Sequence, residues 1–207
     1  MGLTGGKGMG EVGLWAARLR RPLTEQEEHA MLCLLPEERR QRLLRTQKAE
    51  KRAEVLCAYT MLCLALRERY GWKCLPEIAV SAMGKPGFPE FPSVQFNISH
   101  TSGAVLVGVS EAPVGVDIEK IRPVGERTMQ RIAGVSSTRA FFESWVRREA
   151  RVKRLGTGIR TLNEELPLRN GEQFCFLETF EGYVAGVAAG TGAKIGQVHH
   201  YCLDELL

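Results

Sequence analysis

The sequence predicts an α+β protein made of two similar, tightly joined halves, each a small, mainly antiparallel sheet packed on a long helix. Three observations carry this. Helical periodicity runs over residues 50–70 and again over 139–155. Each helix is followed by several short segments of alternating apolar and polar residues, which read as strands. The strands are separated by turns, which suits antiparallel meanders better than a parallel sheet with crossovers. No repeat is visible residue by residue. The halves divide as residues 1–102 and 103–207, packed as one unit.

In order along the chain, Gly8-Met9-Gly10-Glu11-Val12-Gly13 spells G-x-G-x-x-G, but no strand precedes it, so it reads as a flexible tail. A first strand follows over 12–19. Thr24-Glu25-Gln26-Glu27 is a capping box opening a helix, and Pro36 suits the first turn of another. In the helix over 50–70, Val55, Tyr59, Leu62 and Leu66 form the apolar stripe, and Gly71 ends it. Residues 78–83 read as a strand. Gly84-Lys85-Pro86-Gly87-Phe88 reads as a turn with an exposed lysine. Strands follow over 94–99, 104–109 and 114–119. Residues 123–137 read as loop with a short helix. The second long helix is ended by Gly156-Thr157-Gly158, and strands over 174–180, 183–189 and 194–201 close the chain.

Composition narrows the class. The 207 residues are 44% hydrophobic and 25% charged, an ordinary balance for a soluble globular chain. The apolar run over 55–66 is too short to span a bilayer, and no signal peptide or myristoylation signal is evident. The six cysteines form no C-x-x-C pair and mostly lie in apolar runs, which suits buried, reduced thiols. A cytoplasmic protein without a membrane segment is expected. The net charge of +4 is modest, but Arg39, Arg40, Arg42, Arg45, Lys48, Lys51 and Arg52 stand against a single acid, Glu50. That run is either a solvated helix face or a polyphosphate site. It has no interleaved aromatics, so nucleic acid is not the expected partner.

The chemistry concentrates in a few residues. In 94–99, alternation sets Val94, Phe96 and Ile98 on one face and Gln95, Asn97 and Ser99 on the other. In 115–119, Val116 and Ile118 take one face and Asp117 and Glu119 the opposite one. Two carboxylates on one strand face either reach solvent or converge on a cation. On the second helix Trp145, Glu149 and Lys153 share a face at i, i+4 and i+8. Glu149 and Lys153 can simply pair. With Asp117 and Glu119, Glu149 makes a third carboxylate that could share one Mg²⁺, an ion that keeps coordination positions open for phosphates. Phosphoryl transfer from an anionic, nucleotide-like donor is the chemistry this suggests.

Together, Gly84-Lys85-Pro86, Phe96-Asn97-Ile98-Ser99-His100, Gly115-Val116-Asp117-Ile118-Glu119, and Trp145 to Lys153 with Gly156 and Gly158, resemble the motifs of the 4′-phosphopantetheinyl transferases of the monomeric, two-lobed (Sfp-type) class. The resemblance implies lobes related by a pseudo-twofold, with coenzyme A and Mg²⁺ between them, and transfer of the 4′-phosphopantetheine arm to a serine of an apo acyl, peptidyl or aryl carrier protein. Adenosine 3′,5′-bisphosphate is released. Asp117, Glu119 and Glu149 would hold Mg²⁺; Glu149 would also help deprotonate the serine, and Lys153 would steady the transferred phosphate. Ser99 and His100 would contact the coenzyme's phosphates, with His100 and Arg52 near the 3′-phosphate, and Lys85 and Pro86 along the nucleotide. Arg147, Arg148 and Arg151 would be exposed to an acidic carrier. Three departures stand out: Arg148 replaces the family's lysine, Thr101 a common serine, and the segment between Glu119 and Phe141 is short. The alternatives are a coenzyme-binding protein of the same fold without transfer, and a Mg²⁺-dependent phosphohydrolase.

Overall fold

The computed structural model describes residues 10–157 and 171–206. The first part of the glycine-rich tail and Gly158 lie outside the described residues. In chain order the elements are β1 (Glu11–Arg18), α1 (Glu25–Cys33), α2 (Glu37–Leu44), α3 (Ala49–Tyr70), β2 (Ala79–Val80), β3 (Pro86–Gly87), β4 (Gln95–Thr101), β5 (Ala104–Ser110), β6 (Gly115–Lys120), α4 (Glu126–Ala133), α5 (Thr138–Leu155), β7 (Glu172–Leu177), β8 (Tyr183–Gly190) and β9 (Lys194–Cys202). The protein is α+β, as the sequence predicts.

The strands form a four-stranded sheet in the order β4-β5-β1-β9 and a three-stranded sheet in the order β6-β8-β7. All pairings in them are antiparallel except β1 with β9, which is parallel. The boundary expected between residues 102 and 103 falls in the β4–β5 turn. β5 and β9 both join the sheet that contains β1.

Three apolar clusters stack these layers. Trp15, Val105 and Val107 pack with Leu62 and Leu66 of α3. On the other face of the same sheet, Leu14, Ala16 and Leu106 meet Val116 and Ile118 of β6 and Val187 of β8. Met129 of α4, Phe142 and Val146 of α5 and Val184 of β8 form the third. The order of layers is therefore helix, sheet, sheet, helix. β1 and β5, in the middle, are buried on both faces.

The Glu11-Val12-Gly13 half of the glycine motif is strand, not tail. Trp15 lies over Gly13 so closely that a Cβ there would stand 2.4 Å from the indole. α1 opens with both halves of the Thr24–Glu27 capping box, and α3 ends on Gly71 in the left-handed region at φ 69°. The strand expected over 78–83 shrinks to Ala79–Val80, paired with β3. The cysteines are not mostly buried as expected: Cys57 is buried, while Cys33, Cys74, Cys175 and Cys202, at element ends, in the loop after α3 or on the outer strands, are exposed.

Candidate active site

The site forms where β4, β6 and α5 meet. The edge of β6 that faces away from β8 would leave main-chain N–H groups unpaired. Side chains of β4 satisfy them: Val116 N donates to Asn97 Oδ1 at 2.9 Å and Ile118 N to Ser99 Oγ at 3.3 Å. This fixes Ser99 beside Asp117, whose Oδ1 accepts from Ser99 Oγ at 2.7 Å. On the other side, α5 packs directly on the start of β6. A Cβ on Gly115 would lie 2.0 Å from Ala150 O, so only glycine allows this approach.

That packing delivers Lys153 to Asp117. Its Nζ donates to Asp117 Oδ1 at 2.6 Å and to Ser99 Oγ at 3.0 Å, and stands 3.3 Å from Glu149 Oε2. Asp117 is only 2% exposed, and its Oδ2 is buried with no hydrogen-bond partner among the described residues. Burial pushes the Glu149 carboxyl above the usual range; Lys153 opposes this, and Asp117 and Glu119 add to it. Burial pulls the Lys153 amine down, but Asp117 and Glu149 outweigh it and hold the amine above the usual lysine value.

Glu119, two residues further along β6, makes contacts of its own. Its Oε2 accepts from Thr101 Oγ1 at 3.3 Å and from Arg122 Nη1 at 2.9 Å. Among the described residues, no three His, Cys, Asp or Glu side chains stand ready to ligate an ion. Lys153 Nζ lies between Asp117 and Glu149 instead. The bare Asp117 Oδ2 and the neighbouring Glu149 and Glu119 nevertheless suit a hard cation, because an unpartnered buried carboxylate oxygen is costly.

A cleft of about 610 Å³ opens beside Glu119, lined by Lys48, Lys51, His100, Lys120 and Arg122 among others. His100 Nδ1 lies 3.3 Å from Glu54 Oε2. Of the basic run, only Lys48 and Lys51 line this cleft. Arg39 donates to the Tyr59 hydroxyl, Arg40 pairs with Glu37, and Arg52 donates to Glu28 Oε1 and to Thr46 O. Arg52, Lys85 and Pro86 lie outside the cleft lining. Lys120 and Arg122, the first cations after Glu119 in the sequence, line the cleft as well.

Lys85 is half-buried, not exposed as the turn suggested, and its Nζ donates to Arg154 O at 2.7 Å and Val114 O at 3.3 Å. Arg147, Arg148 and Arg151, the three arginines expected to face a carrier, also separate. Arg151 is buried against Glu172 at 2.9 Å, and Arg148 Nη1 donates to Ile132 O of α4 at 2.7 Å. Only Arg147 is exposed, its guanidinium over the rings of Phe174 and Phe176 at 5.4 and 5.5 Å. Residues 145, 149 and 153 share one helix face; Lys153 is drawn inward by Ser99 of β4 and Asp117 of β6, and Glu149 pairs with Lys153.

No family model matches this chain. It is 24% identical to a 4′-phosphopantetheinyl transferase of Bacillus subtilis over 94% of this chain and 99% of that one. It is 22% identical to the transferase Sfp of Bacillus subtilis over 85% and 91%. It is 31% identical to the transferase AcpT of Salmonella typhimurium over 62% of this chain and 73% of that protein. The chain belongs to the 4′-phosphopantetheinyl transferase family. It is a transferase enzyme, and the family's activity, 4′-phosphopantetheinyl transfer, is the frame for the site just described. Among the described residues, no helix of this transferase is long and apolar enough to cross a membrane.

Proposed function

We propose that the transferase moves the 4′-phosphopantetheine arm of coenzyme A to a serine of an apo acyl or peptidyl carrier protein, as a monomer and with Mg²⁺. The observation that carries this reading is the buried Asp117, with Oδ1 on Lys153 and Ser99 and, among the described residues, no partner for Oδ2; two residues along β6, Glu119 lines a cleft together with Lys48, Lys51, His100, Lys120 and Arg122. Asp117, Glu119 and Glu149 would hold the ion, which when bound supplies positive charge against the pyrophosphate.

The chain's own residues account for the rest. Glu149, whose burial raises its proton affinity, accepts the proton of the incoming serine. The serine oxygen forms a bond to the phosphorus carrying the pantetheine arm, and the P–O bond to adenosine 3′,5′-bisphosphate breaks. Lys153, kept charged by Asp117 and Glu149, stabilises the negative charge on the transferred phosphoryl group. Ser99 holds Asp117 and Lys153 in place. His100, Lys48 and Lys51 take the terminal phosphate of the nucleotide in the cleft. Arg52 and Pro86 complete the nucleotide side in this reading, Arg52 by exchanging its Glu28 contact.

The test is to incubate the protein with coenzyme A, Mg²⁺ and a panel of apo carrier proteins and weigh the products intact. One phosphopantetheinyl group should be added to a carrier, and Glu149→Gln should bind coenzyme A normally while transferring about 10²–10⁴-fold more slowly. Coenzyme A binding without any carrier modification would instead identify a binding protein. Release of free phosphopantetheine would identify a hydrolase.

A further inference from the structure

Lys85 is the feature that the transfer reading leaves over. It lies in the turn between β2 and β3, and that turn is firmly built. Lys85 N donates to Ser81 Oγ at 3.0 Å, Ser81 N donates to Lys85 O at 2.9 Å, and the following Phe88 is buried against Phe96 of β4 at 4.6 Å between ring centres. From this base the side chain runs inward. Among the described residues, its amine donates to two main-chain carbonyls: Arg154 O, in the last turn of α5, and Val114 O, just before β6. Its stem lies against Gly156, the α5 cap at φ 68°, where a Cβ would meet Lys85 Cδ at 3.2 Å.

The last carbonyls of a helix have no donor within the helix and carry partial negative charge, so a lysine there is favourable. The two carbonyls chosen matter more. Arg154 is next to Lys153. Val114 is next to Gly115, the residue on which α5 seats itself against β6. One side chain thus fastens the end of the helix that carries Lys153 and Glu149 to the beginning of the strand that carries Asp117.

We propose that Lys85 is a positioning residue of the transfer reaction, tying the C-terminal end of α5 to the start of β6 so that Lys153 and Glu149 stay over Asp117. This rests on the transfer reading above, and it replaces a direct role for Lys85 on the nucleotide. Its amine lies outside the cleft lining and is already committed to the two carbonyls. Burial, with Arg154 adding to it, lowers the lysine to about 8, so the charged amine is held there against a desolvation cost. An interaction kept at that cost is consistent with a role in holding the site.

The experiment compares Lys85→Met, which keeps the stem and removes the donor, with Lys85→Arg, which keeps donors and charge. Coenzyme A affinity is measured by calorimetry, transfer by kcat at saturating coenzyme A, and the α5 terminus by amide hydrogen exchange. Lys85→Met should lower kcat about tenfold or more, as misplacement of catalytic groups does, while coenzyme A affinity stays within about twofold. Exchange at residues 152–157 should speed up while α3 is unchanged, and Lys85→Arg should restore most of kcat. Weaker coenzyme A binding with unchanged kcat would overturn the proposal in favour of a ligand role. Unchanged kcat with unchanged binding, or unchanged exchange at the α5 terminus, would also overturn it. Should Lys85→Met not fold, Lys85→Gln carries the same three measurements. A wild-type protein that modifies no carrier defeats the transfer reading by itself, and the exchange comparison then still decides whether Lys85 fastens α5.

Discussion

At the scale of single residues, the site is a balance between one buried acid and one lysine. Asp117 is buried and Lys153 is its principal counter-charge. Lys153→Met should therefore destabilise the protein in EDTA by about 3–5 kcal/mol, because it strands a buried carboxylate. Adding Asp117→Asn to it should recover a substantial part, and urea melts of the two single variants and the double variant measure the coupling. Additive losses would show that the pair is not an energetic unit. Lys85 makes a second prediction, in pH. Its folded value is about 8 against an ordinary 10.5, so between these the unfolded chain binds more protons than the folded one. Stability then rises with pH across that window. Melts of wild type and Lys85→Met from pH 7.5 to 10.5 test this: the variant should lack the rise, and identical slopes would count against the buried, charged lysine. That Asp117 and Glu119 share a strand face and Glu149 and Lys153 a helix face was legible from alternation on β6 and helical spacing on α5. That Lys153 reaches across to Asp117, beyond its i,i+4 neighbour Glu149, was not, because the contact joins residues 36 positions apart.

At the scale of elements, the decisive contact is α5 on β6. Gly115 has no side chain, and the helix backbone comes closer there than any Cβ would permit. Gly115→Ala should cost about 3 kcal/mol or more and displace α5. Transfer should fall further than stability alone explains, read from kcat at a temperature where the variant remains folded. A variant of wild-type stability and rate would mean that α5 does not depend on that approach. The helices themselves were readable: the Thr24–Glu27 box, the Gly71 terminator and the α5 span all match. The basic run was only half readable. Its helical spacing is real, but most of its arginines are taken up by acids and by Tyr59 within the helical layer, leaving Lys48 and Lys51 for the cleft. A sequence shows the density of charge and not which charges are already paired.

At the scale of the whole molecule, two separate surfaces present basic side chains. The cleft with His100, Lys48 and Lys51 should favour coenzyme A over dephospho-coenzyme A by about tenfold at low ionic strength, a gap that narrows with salt. Calorimetric titrations of both ligands across a salt series measure it; equal affinities would remove the terminal phosphate from this cleft. On the α5 side, Arg147 is the exposed arginine of the three, over the partly exposed Phe176. Arg147→Glu should raise KM for an acidic carrier about fivefold while coenzyme A affinity stays constant. An unchanged KM would point to apolar docking through Phe176.

What the sequence determined by itself was local. Alternation set Asp117 and Glu119 opposite Val116 and Ile118, spacing set Glu149 and Lys153 one turn apart, and glycines marked where helices stop. These depend on backbone periods of a few residues, which any window of the chain displays. Only the tertiary structure decided how the layers stack. β1 is buried on both faces and pairs in parallel with β9 from the far end of the chain, and a strand covered on both sides loses the polar alternation that would reveal its neighbours. Long-range packing also decided the fate of individual charges. Arg151 turned inward to Glu172, Arg52 to Glu28 and Lys85 to the end of α5. Each pairing depends on which elements touch, and that is set by the burial of whole faces, not by the residues on either side of the charge.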